Sequence, residues 1–304
     1  MASSLFITGA RGFIGRHLLE RLDPEEYDPI YCLTRSESTA RKLADQKRFH
    51  WLVGSIFDSD VYGRCLDSSD TVIHLAATTG KARPEEYFRV NAVGTRYLVE
   101  QCKRRDVKNF LFVSTIAVKY RNKSDYPYAQ SKQEAEEAVK QSGLNYAIVR
   151  PTIVLGKESP GWNALSKLAR LPLVVVFGDG TTRTQPIEVD DLVDAMIAVV
   201  KEEDFHNESF DLGGPDTITV EEFLKKVRRL YHGNTGKVLH LPYEPLKRVV
   251  ACIDGYWPSI LPLNAGQLSV FVQDGTITPN RVCEKQYPRM KDLDTALRLL
   301  VQEG

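Results

Sequence analysis

The sequence predicts an α/β protein: a doubly wound parallel sheet with a smaller capping region after it. Three observations carry this reading. Short apolar runs recur through the first half: LFIT from Leu5, IYCLT from Ile30, FHWLV from Phe49, TVIHLAA from Thr71, NFLFVST from Asn109 and NYAIVR from Asn145. Amphipathic segments separate them; Tyr87 to Cys102, for example, sets Val90, Val93, Tyr97, Leu98 and Cys102 on one side at helical spacing. A glycine-rich turn follows the first run. Strands apolar on both faces and alternating with helices form a parallel sheet covered on each side.

The rhythm changes after Arg150-Pro151. Prolines at 151, 160, 172 and 186 and glycines at 156, 161, 178 and 180 break the chain into short pieces. A helix over Val189 to Val200 and a strand over Ser209 to Leu212 return to the sheet, and Thr219, followed by Val-Glu-Glu-Phe, opens a capped helix with acids in its first turn. The expected division is therefore a sheet domain over 1–152 plus about 185–214, and a capping region over about 153–184 plus 215–304. Beyond about His240, where Trp257 lies, no pattern places the tail.

Composition narrows the function class. A chain of 304 residues is long enough for one large domain and a smaller partner. Lys plus Arg and Asp plus Glu both number 40, so no basic footprint points to nucleic acid. The five cysteines, Cys32, Cys65, Cys102, Cys252 and Cys283, are scattered without a Cys-x-x-Cys pair, which argues against a disulfide framework or a metal site and fits a reducing cytoplasm. No leader pattern and no apolar stretch near ~18 residues is visible, so a soluble protein without a membrane span is expected.

The glycine turn is Thr8-Gly9-Ala10-Arg11-Gly12-Phe13-Ile14-Gly15. At a first strand-to-helix junction, such glycines allow a tight turn, close approach of the backbone to a pyrophosphate and close helix packing, while the helix N-terminus offers N–H groups to the anion. The second strand ends in Thr34-Arg35-Ser36, where an acid would hold both ribose hydroxyls of NAD. Arg35, with Arg11 in the turn, suits the 2'-phosphate of NADP instead; the alternative is two solvated surface arginines. Gly54-Ser55-Ile56-Phe57-Asp58 follows the third strand and borders the adenine, unless Asp58 simply caps the next helix.

Tyr128 and Lys132 stand at i and i+4, one helical turn apart. A tyrosine with its ordinary pKa of roughly 10 is a poor base at neutral pH, and a nearby ammonium stabilises its phenolate. Val113-Ser114-Thr115 at the end of the fifth strand adds hydroxyls where open α/β sheets bind ligands.

Together, TGARGFIG, HLAA from His74, NAVGT from Asn91, FVST from Phe112, YAQSK from Tyr128 and RPT from Arg150 resemble the short-chain dehydrogenase/reductase superfamily and its NAD-dependent epimerase/dehydratase branch, from Leu5 to about Leu230. The resemblance implies a Rossmann domain with Tyr128 as general acid/base. Lys132 would lower its pKa and hold the nicotinamide ribose, and Ser114 or Thr115, with Thr115 favoured, would orient the substrate. It also places Gly9, Arg11, Gly12, Phe13, Ile14 and Gly15 at the pyrophosphate, Ser55 and Ile56 at the adenine, Leu75, Ala76 and Ala77 along the cofactor's middle, Asn91 as a nearby polar contact, and Pro151 and Thr152 beside the nicotinamide. His74 in an apolar strand reads as structural. FGDGTTRTQPIEVDDLVDA from Phe177 and FDLGGPDTITVEEF from Phe210 are similar to an atypical branch that includes the nucleotide-binding accessory subunit of respiratory complex I. Sugar-nucleotide epimerases usually carry an arginine where this chain has Thr184; Arg183 is displaced by one, which weakens a sugar-nucleotide assignment.

Two functions remain open at this stage. One is an oxidoreductase or epimerase/dehydratase-type enzyme, NADP-preferring or NAD-dependent, acting on a carbonyl or alcohol carbon of a small-molecule substrate. The other is a catalytically silent NADPH-binding structural or assembly protein, stabilised by its ligand through mass action. A homodimer is compatible with either.

Overall fold

The six apolar runs each form a strand: β1 (Ser3–Thr8), β2 (Tyr27–Thr34), β3 (Phe49–Val53), β4 (Thr71–His74), β5 (Asn109–Val113) and β6 (Asn145–Pro151). With the strand Glu208–Leu212 they make one seven-stranded sheet, in the order Glu208–Leu212, β6, β5, β4, β1, β2, β3. Each pair from β3 to β6 is parallel. The order reverses between β1 and β4, so the carboxyl ends of these two strands open the crevice in which doubly wound folds bind ligands. This is the expected fold class. The structure is a computed structural model and describes residues 3–23, 25–38, 40, 48–201, 205–247, 250 and 266–302; Cys252 and Trp257 lie outside the described residues.

The chain divides into two units. The first comprises Met1–Thr115, Ser131–Arg150 and Val193–Phe210. Its core joins the sheet to its helices through Phe6, Leu33, Val72, Phe110, Phe112 and Ile148 from the strands and Tyr62, Leu66, Leu98, Val99, Cys102, Ala135 and Val139 from helices. The expected helix over Tyr87 to Cys102 is longer and is interrupted. It begins at Pro84, passes through a π-helical segment, Phe88–Val93, and continues as Gly94–Arg104. The wider π-helical turn contains Asn91, and such turns often mark functional sites. The fourth run stops laddering at His74, leaving Leu75 to Ala77 extended beyond the strand.

The second unit comprises Ile116–Gln130, Pro151–Leu192 and Asp211–Gly304. Here short strands pair two by two: Val154–Leu155 with Ile187–Glu188, Arg183–Thr184 with Ile218–Thr219, and Val174–Phe177 with Val238–Leu241. Its own core is built from Trp162, Leu165, Leu168, Val174, Val176, Phe223, Leu224, Val227, Phe271 and Leu297. The helix Val220–His232 has a complete capping box: Thr219 accepts from the Glu222 backbone, and Glu222 returns a bond to the Thr219 N–H. Gly233, at φ 72°, ends it in the left-handed conformation. Thr219→Ala should therefore destabilise the protein by about 1 kcal/mol, measured as a lower urea midpoint, whereas Thr219→Ser should restore most of the loss.

Candidate functional site

The glycine turn is shaped by backbone contacts. Gly9 adopts φ 73°, and a Cβ there would stand 2.5 Å from the Ala76 N. The Gly12 N–H donates to the Gly9 carbonyl at 2.9 Å, and Gly12 caps the helix Phe13–Arg21 without any side-chain bond to its first turn. A Cβ on Gly15 would run into the Gly9 carbonyl and the Ala10 backbone, so that glycine lets the helix sit against the turn. The result is a cradle with an uncapped helix N-terminus, which fits a dinucleotide's pyrophosphate. Phe13 and Ile14 are half-buried on the first turn of that helix. Arg11 and Arg35 are exposed, at the turn and just after β2, and neither guanidinium has a partner among the described residues.

A buried network fixes the turn to β4. Thr8 Oγ1 accepts from the Ala76 N–H at 3.2 Å and lies 2.6 Å from His74 Nδ1, while His74 Nε2 lies 2.8 Å from Thr95 Oγ1. His74 is fully buried and stacks on Phe112. Burial, reinforced by the Lys132 charge, pushes its pKa down to about 3, so the ring is neutral and its role is structural. Leu75 donates its N–H to the Thr8 carbonyl. Leu75, Ala76 and Ala77 thus line up beside the glycine turn.

Ser55 and Ile56 sit in the loop after β3. The Ser55 N–H donates to Asp58 Oδ2 at 2.7 Å, so Asp58 closes this loop and makes no side-chain bond to the helix Ser59–Asp67 that it precedes. Ile56 turns its side chain into the core, and its carbonyl accepts from the Tyr62 hydroxyl. Asn91, 1% exposed, is occupied by the protein itself: Oδ1 accepts from the Thr78 N–H, and Nδ2 donates to the Thr78 carbonyl and to Ser131 Oγ. It ties the loop after β4 to the helix Pro127–Lys140.

That helix carries Tyr128 on its first turn and Lys132 one turn later. Proline at its first position and a run of Ala, Gln, Glu and Lys favour helix formation. Lys132 is 2% exposed; Nζ donates to the Val113 carbonyl at 2.6 Å and lies 4.0 Å above the Phe112 ring. Burial lowers its pKa to about 7, and Glu136 works against that fall. Ser114 is buried and its hydroxyl has no hydrogen-bond partner among the described residues, whereas Thr115 is half-buried. Tyr128 is half-buried, its ring 5.8 Å from that of Tyr126.

In the second unit Pro151 and Thr152 are both buried. Thr152 donates Oγ1 to the Gln185 carbonyl and its N–H to the Leu212 carbonyl, so its polar groups serve the local fold. The two-residue strand Arg183–Thr184 points its side chains to opposite sides: Thr184 is buried, and Arg183 lines a cavity of about 730 Å³ with Lys119, Arg121, Asp179 and Asp274. Lys119 is paired with Asp211 at 2.6 Å.

Sequence reasoning missed Glu136. It is 3% exposed and is gripped by Arg150, with Nε and Nη2 2.8 and 2.5 Å from its two oxygens. The available signal was its position at i+4 from Lys132 on the same helix. The Thr8–His74–Thr95 network spans three elements, and no local pattern announces it.

Residues 5–213 match the NAD dependent epimerase/dehydratase family. The chain belongs to that family. Among its relatives, N-acetyl-alpha-D-glucosaminyl-diphospho-ditrans,octacis-undecaprenol 4-epimerase of Escherichia coli O157:H7 is 25% identical over 292 residues, covering 88% of this chain and 82% of the relative. The mitochondrial NADH dehydrogenase (ubiquinone) 1 alpha subcomplex subunit 9 of Arabidopsis thaliana is 24% identical, covering 95% of this chain and 73% of the relative. The fold is that of UDP-glucose 4-epimerase from Thermus thermophilus, solved in complex with NAD, with a TM-score of 0.72 at 19% identity over 98% of both chains. Among the described residues of this family member, no helix is long and apolar enough to cross a membrane, and no group of side chains could hold a metal ion.

The network around His74 generates a pH dependence. The folded-state pKa lies below the ordinary histidine value, so the unfolded chain binds the extra proton first and stability falls as pH drops from 6.5 toward 3. Between about pH 7 and about pH 5, wild type should lose on the order of 1 to 2 kcal/mol more unfolding free energy than His74→Gln. Parallel urea curves for the two proteins at both pH values would contradict this.

Proposed function

We propose that the chain is an NADP-preferring oxidoreductase or epimerase/dehydratase-type enzyme acting on a carbonyl or alcohol carbon of a small molecule. The carrying observation is the wholly buried Lys132, donating to the Val113 carbonyl at the end of β5, one helical turn after Tyr128. An ammonium in that position serves to stabilise a developing phenolate and to offer donors to a ribose. Tyr128 passes the proton to or from the substrate oxygen, and Thr115, with Ser114 as the alternative, holds that oxygen by its hydroxyl. The nicotinamide, when bound, accepts or supplies the hydride. The second unit supplies the substrate-capping region in this reading.

Gly9, Arg11, Gly12, Phe13, Ile14 and Gly15 would hold the pyrophosphate, with Ser55 and Ile56 beside the adenine and Leu75, Ala76 and Ala77 along the middle. The backbone of the last three offers the surface, because Gly9 brings the turn against it. Asn91 would be a nearby polar contact of the cofactor, and Pro151 and Thr152 would border the nicotinamide. Arg11 and Arg35 have no partner among the described residues and would take the 2'-phosphate.

One observation favours a second reading. The Arabidopsis relative that matches along 95% of this chain is named as a subunit of an NADH dehydrogenase (ubiquinone) subcomplex. A cofactor-stabilised assembly protein would bind NADPH without turnover. Loss of NADPH absorbance in a broad carbonyl and alcohol screen supports the enzyme; tight binding with no turnover across the screen supports the scaffold.

Two outcomes are expected. NADPH should bind more tightly than NADH, and Arg35→Ala should weaken NADPH binding by about 1.5 to 3 kcal/mol, the worth of a charge-assisted bond, while leaving NADH unchanged; calorimetric titration checks both. Tyr128→Phe, which removes one hydroxyl, should leave NADPH affinity and thermal unfolding near wild type and reduce turnover by at least ~100-fold. Wild-type turnover in Tyr128→Phe excludes the tyrosine mechanism.

A further inference from the structure

We infer that the cavity lined by Arg121 and Arg183 is a binding site for a small hydroxylated molecule that carries an oxyanion, either a phosphate or a carboxylate. The inference does not rest on the cofactor reading above, because every residue that lines this cavity belongs to the second unit.

Arg121 and Arg183 reach the cavity from different segments of the chain, and neither guanidinium has a partner among the described residues. The backbone that carries each of them is anchored. The Arg183 N–H donates to Asp274 Oδ1 at 2.8 Å, its carbonyl accepts from the Gly275 N–H at 2.8 Å, and strand pairing sets it opposite Thr219. Beside Arg121, the Asn122 N–H donates to Gln273 Oε1 at 3.0 Å, and Gln273 Nε2 donates to the Asn122 carbonyl at 2.6 Å. Gln273 and Asp274 thus tie both arginine-bearing segments to a third. Lys119, the other cation on the wall, is already engaged: its Nζ lies 2.6 Å from Asp211 and donates to Thr278 Oγ1 at 2.9 Å. Two uncommitted guanidiniums therefore line one cavity from fixed positions.

A guanidinium fork matches the paired oxygens of a phosphate or carboxylate. The cavity, about 730 Å³, has the size of a small-molecule site, which runs from roughly 300 to 1,000 Å³. Two carboxylates share its wall, yet they do not neutralise the forks. Asp274 spends Oδ1 on the Arg183 N–H, and Asp179 spends Oδ1 on the Thr181 N–H and hydroxyl. Neither forms an ion pair with Arg121 or Arg183 among the described residues. Their other oxygens are acceptors in need of donors, so the fitting ligand brings hydroxyls as well as an anion, and Val272 offers an apolar wall to its carbon skeleton. This is not the place marked by the arginine of sugar-nucleotide epimerases. Thr184 stands at that position, and strand alternation sends Arg183 to the opposite face.

The test is calorimetric titration of the full chain with glucose 6-phosphate, gluconate and glucose, three six-carbon polyols that carry a phosphate, a carboxylate or no anion. Wild type, Arg121→Gln and Arg183→Gln are compared; both side chains are exposed, so thermal unfolding should stay near wild type in each variant. The expected result is binding of glucose 6-phosphate or gluconate to wild type, the tighter of the two identifying the oxyanion, with none for glucose. Each variant should weaken that binding at least ~10-fold, the loss of a charge-assisted bond. Failure of both anions to bind, equal binding of glucose, or unchanged affinity in either variant overturns the inference. NADPH, titrated in parallel, should bind both variants as it binds wild type. A chain that binds the anion but no NADPH keeps this site and loses the function proposed above, whereas variants that weaken NADPH as much as the anion assign the arginines to the cofactor and overturn a separate site.

Discussion

An ammonium buried away from water is the constraint on which the candidate site depends. Transfer of such an ion into a protein interior costs several kcal/mol unless something compensates. Lys132 is compensated by a carbonyl at the end of one strand and an aromatic face on that strand. Each compensating group belongs to the frame of the first unit. β5 cannot shift against the helix without losing the bond to Val113, and β6 cannot shift without breaking the Arg150 fork on Glu136.

The glycine turn is held by a different device with a similar logic. Thr8, His74 and Thr95 come from β1, β4 and the helix Gly94–Arg104, and their three side chains satisfy each other in the interior. A buried polar group without a partner would cost about 1 to 3 kcal/mol, so the network specifies one register for the glycine turn against Ala76. Asn91 repeats the pattern from the π-helical segment, joining the loop after β4 to Ser131 beside Lys132.

Much of this was legible in the sequence because it is periodic or local. The six apolar runs became the six strands, and the glycines at 9, 12 and 15 mark a turn whose geometry forbids a Cβ at two of them. The Tyr-Lys spacing is visible because a helix has a fixed pitch. What was not legible depends on pairing across the sheet. The Arg150–Glu136 fork joins residues 14 apart on a strand and a helix, and nothing in either segment names the other. The interruption at Phe88–Val93 changes the hydrogen-bond step without a proline to signal it. Arg183 and Thr184 were seen as a one-residue displacement, but only strand alternation shows that the shift moves the guanidinium to the opposite face, toward the cavity with Arg121.

The central claim is that Lys132 serves both the cofactor and the proton-transferring phenol. It is tested most directly by titrating NADPH into Lys132→Met, a replacement of similar volume that suits the apolar surroundings of the side chain. The account predicts a folded protein with NADPH affinity weakened at least ~10-fold, from the loss of charge-assisted bonds. Wild-type affinity in folded Lys132→Met would contradict it.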